Sequence, residues 1–337
     1  MSRNITIKDV AQLAGVSVGT ASRVLNGNSA TSARSRAAVT EAARRLDFQP
    51  NGLASSLRST QTRSVGLLVS DIRNPFFSEL AFVIQTALFE LGYCTMVGNA
   101  SERGDLQDQF LTALRRQRVA GLICVPQGDG DSVLPRMAAD GLPIVFVDRT
   151  LPITGVPSVN SDPVPGIGEA LQRFKDDGHE RVAFIAGPQN SSTGLERLQV
   201  FQSLASGRFA EARVAEGGYE PDACAASVRR VLADGCTALL FGYSPNAITG
   251  LRVVSELGLR VPDDLSLVSF DEIPFFEFVT PAVSVIHQGI TEMGQEAVSM
   301  LAAIWAGAKP SDRRLPSRLV VRATNGRVPA STERASR

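Results

Sequence analysis

From Val65 onward, short and almost continuous apolar runs alternate with amphipathic segments. The first runs are VGLLVSDI, YCTMVGNA, GLICVP and PIVFVDR, and their length and apolar character are typical of strands covered on both faces. The spacing between them predicts helices over residues 76–91, 105–118 and 132–140. Alternation of strands and helices on this scale predicts a parallel sheet with right-handed crossovers.

The same rhythm restarts after the segment SVNSD. The runs RVAFIAG, RVAEG, TALLFGY and LSLVSFD alternate with helices predicted over residues 164–177, 195–206, 223–233 and 246–257. Two successive sets of one pattern indicate two similar lobes. The predicted fold class is therefore α/β, with two parallel sheets in two lobes.

The first 60 residues carry no strand pattern. The segments IKDVAQLAG, VGTASRVLNG and SARSRAAVTEAARRL predict three short helices, the third of which we expect Pro50 to end. The following NGLASSLRST is small and polar, so it is predicted to be a linker with some helix propensity.

The stretch GVSVG matches the G-x-S-x-G elbow of many hydrolases, which would make Ser17 a nucleophile. That elbow needs a buried strand before the serine and a general base, but KDVAQLA has helical spacing and both histidines, His179 and His287, fall at turns or strand ends. A helix-turn-helix explains the stretch better. Gly15 would end the first helix with a positive φ, and Ser17 would cap a second helix over residues 18–25.

Charge separates the two parts of the chain. Residues 1–63 hold nine basic side chains against three acidic ones, although the whole chain has a net charge of zero. A small basic head on an acidic body is typical of a nucleic-acid-binding module fused to a second module. No apolar run is long enough for a membrane helix and the N-terminus lacks a signal-peptide core, so we expect a cytoplasmic protein. The four scattered cysteines are expected to be reduced thiols in or beside the core.

Three segments, TIKDVAQLAGVSVGTASRVLNG, QPNGLASSLRS and VGLLVSDIRNPFFSEL, closely resemble the LacI/GalR family of bacterial transcriptional regulators. The resemblance runs from about residue 5 to residue 322. It implies a helix-turn-helix domain over residues 1–50, a hinge helix and linker over 51–63, an effector-binding core over 64–322 and a polar tail over 323–337. It also implies an N-lobe of about 64–160 and 289–316 and a C-lobe of about 162–286, with closing strands to 322.

The resemblance implies that the heads of a homodimer bind a pseudo-palindromic stretch of double-stranded operator DNA, with the second helix in the major groove. Val18 and Gly19 fall where side chains choose bases, and Arg23 falls on a base-reading arginine suited to guanine; a phosphate contact is the alternative for Arg23. Leu57 matches the leucine that wedges between base pairs from the minor groove. Further contacts with the DNA are implied for Thr6, Ser17, Ser22, Asn26 and Asn51.

The same resemblance extends to the two-lobed fold of periplasmic sugar-binding proteins, whose ligand lies in the cleft at the carboxyl ends of both sheets. Carboxylates and an arginine would bind vicinal hydroxyls, and aromatic rings would cover sugar C–H faces. A salt bridge, helix cap or core position is the alternative role for each candidate. The candidates are Phe76, Phe77, Asp148, Arg197, Tyr219, Ser244 and Asp271.

The chain departs from the family pattern at Ser244-Pro245, where Asn-Asp is usual. A serine N-cap followed by proline at the first helical position would preserve the helix start. The large amide is replaced by a short hydroxyl, however, so we expect the usual hydrogen bond to the effector to be absent.

Two rival functions fit the sequence less well. A sugar-binding protein without a DNA function does not explain the basic head, and an enzyme would need a base, a phosphate loop or a metal set. GIGEAL, from Gly166, lacks the third glycine of a dinucleotide site, and Asp263-Asp264 has no further ligands nearby. We therefore expect neither catalysis nor a cofactor or metal.

The predicted function is repression of a carbohydrate-utilisation operon under allosteric control by a small sugar-like effector. A non-sugar metabolite such as a purine or a sugar phosphate remains the alternative effector, and partial activation the alternative role. A two-fold operator requires two heads, so a homodimer is expected. The tail has no leucine heptad, so nothing indicates a helical tetramer tag.

Overall fold

A computed structural model describes residues 5–25, 31–48, 62–128 and 133–328 of the chain. The chain divides into two compact units, Met1–Thr62 and Arg63–Arg337, here called the head and the body. Asn26, Asn51 and Leu57, for which DNA contacts were predicted, lie outside the described residues.

The described residues of the head form α1 (Ile7–Leu13), α2 (Val18–Leu25) and α3 (Ala33–Arg45). Their apolar faces meet in one small core, in which Val10, Ala21 and Val39 are fully buried. Small side chains let the helices approach closely, so a short chain segment still forms a core. The predicted three-helix arrangement is confirmed.

The turn between α1 and α2 has the left-handed glycine and the serine cap that GVSVG predicts. Gly15 has a φ of +64°, and the backbone N–H of Thr20 donates to Ser17 Oγ over 3.1 Å at the start of α2. The expected effect of Pro50 is wrong, because α3 ends at Arg45 and Asp47 already has a φ of +45°.

The body alternates strands and helices along its length. Its strands are β1 (Ser64–Val69), β2 (Cys94–Asn99), β3 (Gly121–Cys124), β4 (Ile144–Val147), β5 (Ser158–Asp162), β6 (Arg181–Ala186), β7 (Glu211–Glu216), β8 (Ala238–Phe241), β9 (Ser266–Phe270), β10 (Ser284–His287), β11 (Arg313–Pro316) and β12 (Arg318–Val320). Its helices are α4 (Pro75–Glu90), α5 (Gly104–Gln117), α6 (Val133–Ala139), α7 (Pro163–Asp176), α8 (Ser192–Ala205), α9 (Pro221–Ala233), α10 (Ser244–Glu256), α11 (Phe275–Phe278) and α12 (Ile290–Trp305).

The strands form two sheets, one in each lobe. The N-lobe sheet has the order β11-β5-β4-β3-β1-β2 and is parallel throughout. The C-lobe sheet has the order β12-β10-β9-β8-β6-β7 and is parallel except for β12, which runs antiparallel to β10. The predicted α/β class with two parallel-dominated sheets is confirmed.

Each sheet is buried on both faces by helices. In the N-lobe, Val65 and Ile123 pack against α4 and α12 on one face, while Leu68 and Leu122 pack against α5 and α6 on the other. The C-lobe has two corresponding cores. Double coverage explains why the strands read as continuous apolar runs rather than alternating ones.

The chain passes between the lobes at three places. It leaves the N-lobe sheet at the end of β5 and returns between β10 and α12, whose residue Met293 packs in an N-lobe core. The third passage is Ser317, which alone separates β11 from β12. The Ser317 hydroxyl donates to the carbonyl of Asp162 over 2.6 Å and accepts from the N–H of Gly166 at 3.2 Å. The first and third passages are therefore hydrogen-bonded to each other.

Two expectations need correction. The polar tail does not begin at residue 323, because Thr324 is fully buried and Val328 N–H donates to the carbonyl of Asp177 over 3.0 Å in the C-lobe. Cys94 is exposed at the start of an edge strand, whereas the other three cysteines are buried as expected. His179 is buried and bonded to Thr237 and Ser266, which is a structural role.

In the described part of the chain, no helix has the length and hydropathy required to cross a membrane.

Candidate functional site

The carboxyl ends of the central strands of both sheets face a narrow cleft between the lobes. Two parallel sheets of this kind leave their loops at one edge, where helix N-termini and polar side chains converge. The loop residues of β1, β4, β6, β8 and β9 therefore meet there. Five predicted effector residues line the cleft: Phe76, Phe77, Asp148, Arg197 and Asp271.

Arg197 lies within α8, in its second turn rather than at its start as the sequence suggested. Its Nη1 donates to the carbonyl of Gly242 over 2.9 Å, and its Nη2 donates to Gln288 Oε1 over 3.1 Å. The guanidinium carbon stands 3.8 Å from the centre of the Phe270 ring. Packing on a ring and two hydrogen bonds fix the orientation of the fork.

Asp271 follows β9 with a left-handed φ of +69°. Ser244 Oγ donates to Oδ2 over 3.2 Å, Gln288 Nε2 donates to Oδ1, and Arg197 Nη2 lies 3.6 Å from Oδ1. Gln288 thus joins the aspartate to the arginine. The sequence did not indicate this role, since Gln288 is 91 residues from Arg197 along the chain.

Ser244 does not line the cleft and is fully buried. The predicted N-cap role is wrong, because α10 begins at Ser244 itself and Tyr243 occupies the N-cap position. The Ser244 hydroxyl donates to Asp271, so Ser244 orients a carboxylate of the cleft without contacting the cleft itself. Tyr243, which the sequence did not indicate, lines the cleft instead.

Asp148 follows β4 with a φ of +63° and is only 3% exposed. Among the described residues, none hydrogen-bonds to its Oδ1. Burial raises the pKa of Asp148 to about 6, although the nearby guanidinium groups of Arg197 and Arg149 oppose the rise. A buried carboxylate oxygen without a donor is costly, so this atom is a natural acceptor for a ligand hydroxyl.

Arg149 also lines the cleft, although it was not among the predicted effector-binding residues. Its Nη1 and Nη2 donate to the two oxygens of Glu102 over 2.6 and 3.0 Å, and Nη1 also donates to Gln127 Oε1 over 3.1 Å. The signal was present in VFVDR, where an arginine directly follows the aspartate that ends a buried strand. Its partner Glu102, 47 residues earlier, gave no such signal.

Tyr219 does not line the cleft, although it was predicted to contact the effector. Its hydroxyl donates to Glu102 Oε2 over 2.8 Å, which joins the C-lobe to the N-lobe. Its ring meets that of Tyr243 edge to face, with centroids 6.2 Å apart. Burial raises the pKa of Tyr219, so the phenol stays protonated and acts as a donor.

Two phenylalanines form the apolar wall of the cleft. Asn74 caps α4 by accepting from the N–H of Phe76 at 3.1 Å, and Pro75 occupies the first turn. This start places Phe76 and Phe77 at the cleft with centroids 5.1 Å apart and rings nearly perpendicular. The wall offers ring faces to the C–H groups of a ligand.

The head presents α2 to solvent. Val18 is 42% exposed, and Gly19 and Arg23 are also exposed, so these three predicted base-contacting positions share an accessible face. Thr6 and Ser17 are exposed residues whose hydroxyls bond to Asp9 and Thr20 at the starts of α1 and α2. Hydroxyls at helix N-termini are suited to phosphate oxygens. Ser22 is half-buried on α2.

Two family models match the chain. The model for bacterial regulatory proteins of the lacI family matches residues 6–51, and that for a periplasmic binding protein-like domain matches residues 171–325. The ribose operon repressor of Bacillus subtilis strain 168 is 32% identical over 302 residues, 89% of this chain and 91% of that protein. The chain therefore belongs to the lacI family of bacterial regulatory proteins and is a DNA-binding transcriptional regulator.

Two further proteins are similar over most of their length. The HTH-type transcriptional repressor PurR of Proteus mirabilis strain HI4320 is 31% identical over 303 residues, 88% of this chain and 89% of that protein. The Lac repressor dimer bound to operator and the anti-inducer ONPF has a TM-score of 0.85 and 26% identity over 96% of this chain and all of that chain. The fold is therefore that of a Lac repressor.

Proposed function

We propose that this chain represses a carbohydrate-utilisation operon and that a small sugar-like effector, bound in the cleft between the lobes, controls its affinity for operator DNA. The observation that carries the effector proposal is the cleft itself. It combines an unsatisfied buried carboxylate oxygen on Asp148, an unsatisfied N–H donor on Arg149 and the ring wall of Phe76 and Phe77. Hydroxyl groups and C–H faces together are the signature of a sugar.

The head supports the DNA half of the proposal. Arg23 on the exposed face of α2 would donate two hydrogen bonds to one guanine, while Val18 would contact a thymine methyl and Gly19 would allow close approach. Thr6, Ser17, Ser22 and Asn26 would contact the DNA backbone and set the register. Asn51 and Leu57 would act from the hinge helix, with Leu57 as the minor-groove wedge.

The two halves would be linked through the angle between the lobes. An effector that favours the closed cleft shifts the population of closed bodies, and the body in turn changes the separation of the two hinge segments of a dimer. Such coupling is typically about 1–3 kcal/mol and is reciprocal. Operator DNA should therefore alter effector affinity by the same factor as effector alters operator affinity.

A homodimer would provide the two heads that a two-fold operator requires. Exposed aromatic side chains on both lobes are candidates for its interface, notably Phe89, which is 78% exposed, and Phe278, which is 82% exposed. Phe82, which is 65% exposed, lies seven residues before Phe89 on α4, so the two rings share one face of that helix, and a shared exposed apolar face is typical of an interaction surface. We propose that a second copy of the body covers them.

The decisive experiment selects operators from random duplexes with the full-length protein and then titrates the best palindrome in gel shifts. We expect a clear preference for one palindrome over a random duplex at physiological salt. Calorimetric titration of candidate sugars, with and without that operator, then measures the linkage. Binding without sequence preference would refute the DNA half, and equal effector affinities with and without operator would refute the linkage.

A further inference from the structure

Both cationic side chains that line the cleft, among the described residues, are already engaged by protein groups. Arg149 holds the two oxygens of Glu102 with both of its terminal nitrogens. One terminal nitrogen of Arg197 donates to the carbonyl of Gly242. The other donates to Gln288 and lies within ion-pair distance of Asp271. A guanidinium fork that is free and aimed at the ligand is the side chain best suited to a phosphate group.

The charge around the cleft is also unfavourable for an anion. Three carboxylates, those of Glu102, Asp148 and Asp271, face the two guanidinium groups of Arg149 and Arg197. All five side chains are nearly buried, so their charges are weakly screened by water. A phosphate ester with its charge of about −1.5 to −2 would be repelled.

The atoms left without partners complement a hydroxyl group. Asp148 Oδ1 is an unpaired acceptor, and Arg149 Nε is an unpaired donor that lies 3.8 Å from Asp148 Oδ2. A hydroxyl both donates and accepts, so one hydroxyl or two adjacent ones would satisfy both atoms. A purely accepting anion would leave Asp148 unsatisfied.

We infer that Glu102 makes the cleft selective for an uncharged polyhydroxylated ligand, because it occupies Arg149 and so withholds from the ligand the guanidinium that would otherwise bind a phosphate. The inference rests on the proposed role of the cleft as the effector site and adds the charge class of the effector. Glu102 lies outside the cleft lining, and it affects the charge offered to the ligand through Arg149, while its second partner, Tyr219, links it to the other lobe. It is thus a positioning residue that determines specificity.

The first test compares free sugars with their phosphate esters. Calorimetry on the full-length protein measures the affinity for a panel of free pentoses and hexoses and, for each sugar that binds, for its monophosphate. We expect the ester to bind at least about tenfold more weakly than the free sugar. An ester that binds as tightly as the free sugar, or more tightly, overturns the inference.

The second test uses Glu102→Gln, which keeps an acceptor for Tyr219 but removes the negative charge. We expect the ratio of the dissociation constant of the ester to that of the free sugar to fall by about tenfold or more in this variant, because Arg149 becomes available to the phosphate. Glu180→Gln is the matched control. It removes an exposed carboxylate just before β6, at the end of the sheet opposite the cleft. It should leave the ratio of the two dissociation constants, ester to free sugar, unchanged.

A thermal-shift titration with inorganic phosphate separates this inference from the proposed function. Phosphate should raise the melting temperature of Glu102→Gln but not that of the wild type or of the double variant Glu102→Gln/Arg149→Gln. If no sugar binds, the sugar proposal fails while this titration still decides the role of Glu102. If Glu102→Gln folds but phosphate does not raise its melting temperature, the inference is overturned. If Glu102→Gln does not fold, a rise in the melting temperature of the wild type with phosphate overturns it instead.

Discussion

The hydroxyl of Tyr219 donates a hydrogen bond to Glu102 Oε2 across 2.8 Å, and the two residues belong to different lobes. Glu102 follows β2 in the N-lobe and Tyr219 follows β7 in the C-lobe. The bond exists only while the lobes are close together. It therefore contributes to the stability of the closed cleft without requiring contact with the ligand.

Replacing Tyr219 with phenylalanine should weaken effector binding by about five- to tenfold. A hydrogen bond to a charged group contributes about 1.5–3 kcal/mol when buried, and part of it is recovered by water in the open form. Calorimetry measures the affinity, and small-angle scattering measures the fraction of closed bodies. Tyr93→Phe, which removes the hydroxyl of a tyrosine whose ring is stacked on Trp305 in the N-lobe, is the control. Unchanged affinity and scattering in Tyr219→Phe would show that the bond has no part in closure.

Asp148→Asn should stabilise the fold at neutral pH while weakening effector binding. Burial raises the pKa of Asp148 to about 6 from an ordinary 3.8, so the folded state binds more protons than the unfolded chain between those values. The free energy of unfolding of the wild type therefore falls as pH rises through this window, by an amount on the order of 2–3 kcal/mol. Asparagine does not ionise, so Asp148→Asn does not lose this stability as the pH rises.

Melting temperatures from pH 4 to pH 8 test this prediction. The advantage of Asp148→Asn over the wild type should be largest above about pH 6 and should shrink toward pH 4. Asp263→Asn, which neutralises an exposed carboxylate beside Arg260, serves as the comparison and should show no such trend. A pH-independent difference between Asp148→Asn and the wild type would contradict the burial argument.

Gly15→Ala should destabilise the head by about 1–2 kcal/mol, because an L side chain is strained at a φ of +64°. The strain is confined to the backbone, since a Cβ at this position would meet no atom within 4 Å. Gly19→Ala is the contrasting variant. It lies inside α2, where a Cβ is 3.8 Å from Ser17 Oγ, and should stabilise the helix by up to about 1 kcal/mol.

Hydrogen exchange of the α1 and α2 amides in the full-length protein distinguishes these two glycine variants. Protection should fall in Gly15→Ala and rise or remain constant in Gly19→Ala. Equal protection in both would mean that the turn does not require a left-handed residue.

Arg23→Ala should relax operator specificity at one base pair rather than weaken all binding equally. A bidentate contact from arginine to guanine is worth about 1–3 kcal/mol of discrimination. Gel shifts against operators with each guanine substituted in turn identify the pair. Lys8→Ala, which removes an exposed charge from α1, should weaken binding to all duplexes alike. A uniform loss in Arg23→Ala would assign Arg23 to a phosphate instead.

The sequence predicted those elements whose signal is local. Apolar runs such as RVAFIAG and TALLFGY become strands because both faces of each sheet are covered. SVNSD was not assigned to a strand because its residues are polar. It forms β5 nevertheless, since backbone pairing with β4 and β11 and burial of Ser158 to Ser161 override its composition.

The site was predictable only at strand ends. Asp148 and Asp271 could be located because each terminates an apolar run, and Arg197 because it follows one at short distance. Arg149 could have been located in the same way, since it directly follows Asp148 in VFVDR. Gln288 and Glu102 depend on partners far away in the chain, for which a single sequence carries no pattern. Ser244 was misassigned because a serine before a proline favours an N-cap locally, while the buried carboxylate of Asp271 binds its hydroxyl instead.

Ser317 determines how far each part of the cleft edge travels when the lobes rotate. Its hydroxyl fixes two passages of the chain at one side of the body, where β11 and β12 are the edge strands. The opposite edge strands, β2 and β7, lie five strand spacings away, or about 24 Å. A rotation of about 10° around that side moves the far edges apart by about 4 Å, so the Glu102–Tyr219 bond is either made or fully broken by a modest change of angle.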